Sequence, residues 1–430
     1  MLIFPSLPLC FLRPFYGIVL WTIIAFTSIQ WYTFSAYTVP WALVVAVPTI
    51  AGTFFFGRGW KSVFTFQGLM LLVVWMWFTL TTIVSSETPF FHEHVTWMWY
   101  RWTFVTKVVG MTFIAVAAID RFEQIRTLIM VIAGCFGLFV VKALPFLVLG
   151  SGEDRVYGPE MSMIADNNDF GLALNMTLPL FFFLAQTEKN PWVKRIFWGL
   201  TVATIPAIFF TYSRGALVGL VAVVGLMFLQ LKQRRILVPL FTIAVLIAIL
   251  MAPDKWKQRM DPTRKDAMDG SAYSRINAWT YSWRLACDYP LTGGGFETFS
   301  KDLFVRYAPN PADVHGPHSI YFGVLAEHGF PGFFLYLLMM GSCIWVAQKL
   351  RTWARLCGDE VGAQYATMLG VSLVGFMMSG FFLGRQYFDY MFTVMACIVA
   401  LKGVCPARWA HMKQIEEEEE DEEHFQEAVV

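Results

Sequence analysis

Apolar residues run through this chain in long, nearly uninterrupted stretches that recur from the N-terminal region to about residue 402. A helix needs roughly 20 such residues to cross a bilayer. On that criterion the pattern predicts about twelve spans, near 15–33, 39–57, 64–84, 99–119, 127–149, 170–186, 196–211, 215–231, 236–252, 330–348, 362–382 and 386–402. The expected architecture is an all-α, polytopic membrane protein. Residues 1–252 hold nine spans, 253–329 form a large extramembrane loop, 330–402 hold three more spans, and 403–430 form a tail.

Polar positions sort the connections into two sets. Arg58 and Lys61, Arg121 and Arg126, Lys189, Lys194 and Arg195, Lys232, Arg234 and Arg235, and Lys349, Arg351 and Arg355 all fall on one side if the spans alternate. Arg13 and the tail after Lys402 join them. The positive-inside rule makes that side cytoplasmic and puts both termini there. The tail carries an acidic run from Glu416 to Glu423, a pattern expected to be solvated and disordered.

The opposite side holds the loops 85–98, 150–169 and 253–329. The first contains His92, Glu93 and His94. The second contains Glu153, Asp154, Arg155 and the run Asp166-Asn167-Asn168-Asp169. In the third, Ile276, Trp279, Trp283 and Ala286 recur at helical spacing, with Ser274 as a start signal and Pro290 as a stop. A helix lying at the membrane interface is expected there.

Composition agrees with this picture. Of 430 residues, 57% are hydrophobic and only 15% charged, against about 25% in ordinary soluble domains. Mean hydropathy is +0.54. The net charge of +1 offers no bulk field for nucleic acid. The seven cysteines show neither metal nor redox spacing, and no disulfide framework is expected. The apolar N-terminus lacks a small-residue cleavage site and is expected to belong to the mature protein.

Because most short-loop positive charge lies on the first side, the arginines on the other are exceptional. They include Arg155, Arg214, Arg275, Arg284 and Arg385. Charge beside a spanning helix usually faces a polar cavity or a partner. Arg214 sits in the very short turn Thr211-Tyr212-Ser213-Arg214-Gly215. There it either snorkels to headgroups or binds an anion in a cavity. Arg275 stands at the expected start of the loop helix, where a phosphate would meet a guanidinium and free backbone N–H groups. Arg155 and Arg385 are divided between snorkelling and ligand binding, whereas Arg284 reads as a surface group.

His318, in His315-Gly316-Pro317-His318-Ser319, is the candidate base, since imidazole accepts a proton near neutral pH. Pro317 suits a helix start and Gly329 a helix end. Glu327 lies nine positions on, half a turn out of phase, so it is expected to brace the cavity or pair with an arginine instead of touching His318. His92, Glu93 and His94 do not share a helical face and have no third ligand nearby, so no metal site is expected. Asp266 and Asp269 read as solvated turn residues. No Gly-rich phosphate loop is present, which argues against cytosolic nucleotides.

These residues also form a set. Asp166-Asn167-Asn168-Asp169-Phe170 precedes a span with Pro179. Ser213-Arg214-Gly215 comes next, then Arg275 with Trp279, then Pro290, Gly293, Gly295 and Phe299. His318-Ser319 with Glu327, Gly329 and Gly332 close the series. In order and spacing the chain resembles the O-antigen ligase superfamily of bacterial inner-membrane glycosyltransferases, and within it the ligases encoded beside exosortase-type systems. Ser319 departs from the asparagine that often follows the histidine in that family.

The resemblance implies a GT-C-like design with its active site facing the periplasm. The reaction implied is metal-independent and inverting, and it needs no cofactor. It transfers a glycan from undecaprenyl diphosphate to a lipid A–core sugar hydroxyl. Arg214, Arg275, Arg155 and Arg385 would bind the diphosphate, His318 would act as base, and Glu327 would support them. A Wzy-type polymerase or protein O-oligosaccharyltransferase would keep the donor chemistry and change the acceptor. A secondary transporter is the alternative from another class, but no inverted repeat is evident and the polar residues gather near one face.

Overall fold

The structure is a computed structural model that describes residues 3–32, 38–149, 155–230 and 271–429. The expected span 236–252, the cations Lys232, Arg234 and Arg235, and Glu153, Asp154, Asp266 and Asp269 lie outside the described residues.

Among the described residues the chain is helical, with no strand. The helices are α1 (Ile3–Leu12), α2 (Pro14–Thr27), α3 (Trp41–Phe56), α4 (Trp60–Val63), α5 (Phe66–Glu87), α6 (Val95–Ala118), α7 (Phe122–Leu149), α8 (Asn167–Thr187), α9 (Pro191–Phe209), α10 (Arg214–Leu229), α11 (Ser271–Asp288), α12 (Lys301–Tyr307), α13 (Ile320–Leu356), α14 (Glu360–Gly380) and α15 (Asp389–Val429). Seven stretches are long and apolar enough to cross a membrane: Phe66–Glu87, Pro89–Ala118, Phe122–Pro145, Asn167–Thr187, Ile320–Leu356, Glu360–Gly380 and Asp389–Gln414. The other expected spans within the described residues coincide with α2, α3 and α10, which are apolar but shorter, and with α9. This is an all-α polytopic membrane protein.

The most buried span is α8, whose window is 89% buried within the protein. It packs between α9, α10 and α14. Polar side chains lock this centre: Asn175 Nδ2 donates to the Ala216 carbonyl (2.7 Å) and to Ser379 Oγ (3.0 Å). The close approach depends on small residues, because a Cβ at Gly219 would lie 2.0 Å from Ser379 Oγ.

One end of the bundle is built by ion pairs and short turns. Arg126 pairs with Glu188 (2.7 Å), and Arg408 with Asp359 (2.7 Å) while stacking over Phe122. The basic connections around Arg58, Arg121, Lys189 and Arg355 share this end. The acidic run 416–423 departs from the expectation of disorder, since α15 continues helical through it to Val429. Glutamate's high helix propensity and the rigid spanning segment before it favour that continuation.

At the other end converge the segments 88–94, 155–166, 210–213, 289–319 and 381–388. The central device there is a break in α13. Gly329 has φ 66° and ψ −173°, a backbone region essentially confined to glycine. The break frees backbone groups that need partners inside a membrane protein. The turn after α11 supplies most of them. Gly294 N–H donates to the Ala326 carbonyl (2.8 Å), Gly295 N–H to the Glu327 carbonyl (2.9 Å), and Phe330 N–H to the Pro290 carbonyl (2.9 Å). Trp77 Nε1 donates to the His328 carbonyl (3.2 Å). Gly329 ends a helical segment as expected, but that segment begins at Ile320 and not at Pro317.

Helix α11 also begins earlier than Ser274. Arg275 therefore lies one turn inside it, and its N–H is not among the free amides of the first turn. Ser274 instead donates to Asp313 Oδ2 (2.8 Å). Ile276 and Trp283 are exposed, while Ala278, Tyr281, Leu285 and Ala286 form the buried stripe.

Candidate active site

The loop carrying His318 is held from several directions. Asn277 of α11 donates to the carbonyls of Asn310 (2.9 Å) and Asp313 (3.1 Å) and accepts from Asn310 N–H (2.8 Å). Trp279 Nε1 donates to the Pro317 carbonyl (2.8 Å), and its ring stacks on Phe322. A Cβ at Gly384 would lie 3.5 Å from His318 N, so the 381–388 loop backs directly onto the histidine. His318 itself has φ 43°, in the left-handed region that non-glycine residues rarely occupy.

Arg214 opens α10 behind the N-cap Ser213, whose hydroxyl accepts from Ala216 N–H (3.2 Å). Asn167 Nδ2 donates to the Thr211 carbonyl (2.6 Å) and so fixes that turn against the start of α8. This explains part of the Asp166–Asp169 motif. Asp166 caps α8 through Asn168 N–H (2.8 Å), and Asp169 pairs with Arg385.

These elements bring most of the sequence candidates together. Arg214 lies close enough to Arg275 to lower its pKa, although burial is the larger cause. Arg275 Nε is buried without a hydrogen-bond partner among the described residues. Arg275, His315 and Arg385 all act on His318, whose ring centroid is 5.6 Å from that of His315. The His318 side chain reaches solvent but is closely walled by protein. Burial first, then Arg275 and His315, pushes its pKa down to about 4. Desolvated cations gathered around a neutral imidazole form a site suited to an anion.

Other candidates lie elsewhere. Arg155 lines a different cavity with Lys142, Tyr157 and Glu160, and no residue lines both this cavity and the one beside Arg385 described below. Arg284 donates to the Tyr307 carbonyl (3.2 Å), in keeping with a surface group. Glu327 is 3% exposed and meets neither His318 nor an arginine through a hydrogen bond. Its Oε1 accepts from Glu297 N–H (3.0 Å), and its Oε2 accepts from Gln386 Nε2 (3.1 Å) and the Tyr387 hydroxyl (2.5 Å). It therefore braces α13 against the 293–297 and 385–387 segments. The neighbouring His328 is a core histidine, stacked on Phe78 and bonded to Thr81 and Tyr387.

Sequence reading missed Arg101, which pairs with Glu297 across 196 positions. No local pattern links two such distant residues. It also found no third partner for the His92-Glu93-His94 cluster. The fold brings Asp302 to Glu93 and His94, with ligand-type atoms all within 4.8 Å of one another, although both carboxylates are exposed.

Residues 199–337 match the family model described as O-antigen ligase. That segment forms a domain similar to the O-antigen ligase family. The matched segment holds the turn with Arg214, the helix with Arg275, the His318 loop and the broken half of α13. Arg155 and Arg385 lie outside it. No curated protein matches the chain. The ligase domain supports the O-antigen ligase superfamily, activity of the ligase or polymerase type, and in general a lipid-linked glycan and a lipid acceptor as substrates.

Proposed function

We propose that the ligase domain transfers a glycan from undecaprenyl diphosphate to a sugar hydroxyl of lipid A–core, at the periplasmic face of the inner membrane. The observation that carries this reading is the cation cluster at one end of the bundle. Arg275 of α11 and Arg385 of the 381–388 loop both act on a single imidazole, and Arg214 of α10 lies beside Arg275. The side opposite the basic connections is periplasmic by the positive-inside rule.

Arg214 and Arg275 bind the diphosphate, and planar guanidinium groups suit its oxygens better than ammonium does. Arg385 is shared with Asp169 and contributes as a second-line cation. Arg155, on a separate cavity, has no place in this set. The acceptor hydroxyl oxygen attacks the anomeric carbon while the carbon–oxygen bond to the diphosphate breaks. The bonding pair leaves on the phosphate oxygen, and the hydroxyl proton passes to His318. Attack opposite the leaving group inverts the anomeric centre. The arginines offset the charge that grows on the leaving diphosphate. An anion seated on Arg275 offsets that arginine's repulsion, the second cause of the low His318 pKa after burial, so donor binding strengthens the base.

The test uses the purified protein in phospholipid nanodiscs with a glycan-linked undecaprenyl diphosphate and lipid A–core. His318→Ala should abolish transfer while leaving protein level and melting temperature unchanged. Normal transfer by that variant would remove the base.

A further inference from the structure

A second cavity adjoins the cation cluster and differs from it in charge. It encloses about 220 Å³ and is lined by Arg101, Glu297, Glu327, Arg385, Gln386 and Tyr387, with a backbone wall at Gly316–Pro317 and Gly384. Each guanidinium there is already paired, Arg101 with Glu297 and Arg385 with Asp169, so the space has little free cationic field to hold a diphosphate. Its wall is largely polar, and Met163, Phe299 and Phe388 supply only small apolar faces, too little for a polyprenyl chain but enough to pack one face of a sugar ring. A polyhydroxylated ring, by contrast, needs donors and acceptors interleaved around it. The cavity is smaller than the roughly 300–1,000 Å³ of common ligand sites, which suits one sugar ring and not an oligosaccharide.

Two details single out Glu297. It holds φ 57°, a strained conformation for a non-glycine residue, and its N–H is pinned by Glu327. Strain of this kind collects where a side chain is used. Its Oε1 is held by Arg101, while its Oε2 accepts no hydrogen bond among the described residues. At the other side of the cavity, Pro317 leads directly into His318, and Arg385 both lines the space and acts on His318.

We propose that this cavity seats the acceptor. A neutral sugar ring is oriented by Glu297, with Arg101 as its positioning residue, so that one hydroxyl is presented at the His318 end. The proposal rests on the transferase reading above. It makes Glu297 a specificity-determining residue for the acceptor and not for the donor.

Kinetics on the full-length protein in nanodiscs test it, with undecaprenyl-diphosphate-linked glycan as donor and lipid A–core oligosaccharide as acceptor. Glu297→Gln removes the charged acceptor and should raise acceptor KM about tenfold, the effect of one charge-assisted hydrogen bond. Donor KM should stay within about twofold. Glu297→Gly relieves the φ strain, so it should fold at least as well and raise acceptor KM by a similar factor. Unchanged acceptor KM in both variants, or an equal rise in donor KM, would overturn the proposal. If the unsubstituted protein transfers nothing, the reaction assignment fails separately. Calorimetric binding of the free core oligosaccharide then reads the cavity directly. Roughly tenfold weaker binding by Glu297→Gln supports the seat, and equal binding or no binding by the unsubstituted protein overturns it.

Discussion

Glu327 distinguishes a brace from a reacting carboxylate, and the two demand opposite outcomes from one conservative change. In Glu327→Ala, the donors Gln386 Nε2 and Glu297 N–H lose their acceptor. Tyr387 keeps a partner, because its hydroxyl lies 2.8 Å from His328 Nε2 and that network can reverse through Thr81 at Nδ1. Two orphaned donors at about 1–3 kcal/mol each cost roughly 2–6 kcal/mol. That is a large share of the stability of an ordinary domain, so folded yield and melting temperature should both fall. In Glu327→Gln, the amide oxygen still accepts from Glu297 N–H. The new NH₂ group faces Gln386, whose Oε1 has no hydrogen-bond partner among the described residues and can turn to accept it. The cost should stay within about 1 kcal/mol. Thermal melting by fluorescence-detected gel filtration, run beside glycan transfer, reads both variants. A Glu327→Gln protein that melts normally yet transfers nothing would refute the brace and put the carboxylate into the chemistry.

Three further outcomes are expected. With its pKa held near 4, His318 is neutral and able to accept a proton from about pH 5 to 8, and it loses that capacity as pH falls through 4. Imidazole NMR should place its titration well below an ordinary histidine, and Arg275→Gln should move it upward; an ordinary midpoint indifferent to that change would contradict the cluster. Arg214→Lys should lose most of its transfer rate, because a point charge lacks the planar fork, whereas wild-type rates would point to simple snorkelling. At the opposite end, burial pushes the Asp359 carboxyl up, but Arg408, Gly362 N–H and Trp409 outweigh it and hold its pKa below the usual carboxylate range. The resulting stability is present above that range and is lost as pH falls through the depressed value. Asp359→Asn should therefore melt earlier at pH 7, by an amount worth up to about 3–5 kcal/mol, and the gap to the unsubstituted protein should close only once pH has fallen below the depressed folded-state pKa. Its acceptor KM should not change.

What the sequence determined by itself was local and periodic. Runs of about 20 apolar residues have few stable forms other than a spanning helix, so the helices at 64–84, 170–186 and 362–382 were legible from hydropathy alone. The gathering of the short basic connections on one side was an expectation from charge, and Gly329 announced the break in α13 because few other residues tolerate its backbone geometry. Individual candidates such as Arg214, Arg275 and His318 stood out because charge and imidazole beside apolar spans call for a reason. Their relation to one another did not. Only tertiary packing placed Arg275 beside Arg214, set Arg155 on another cavity, joined Arg101 to Glu297, and turned Glu327 toward Gln386 and Tyr387. Hydrophobic periodicity fixes which face of a helix is buried. The identity of its neighbours depends on how several helices close against each other through small residues and re-satisfied backbone groups, which no window along one chain contains.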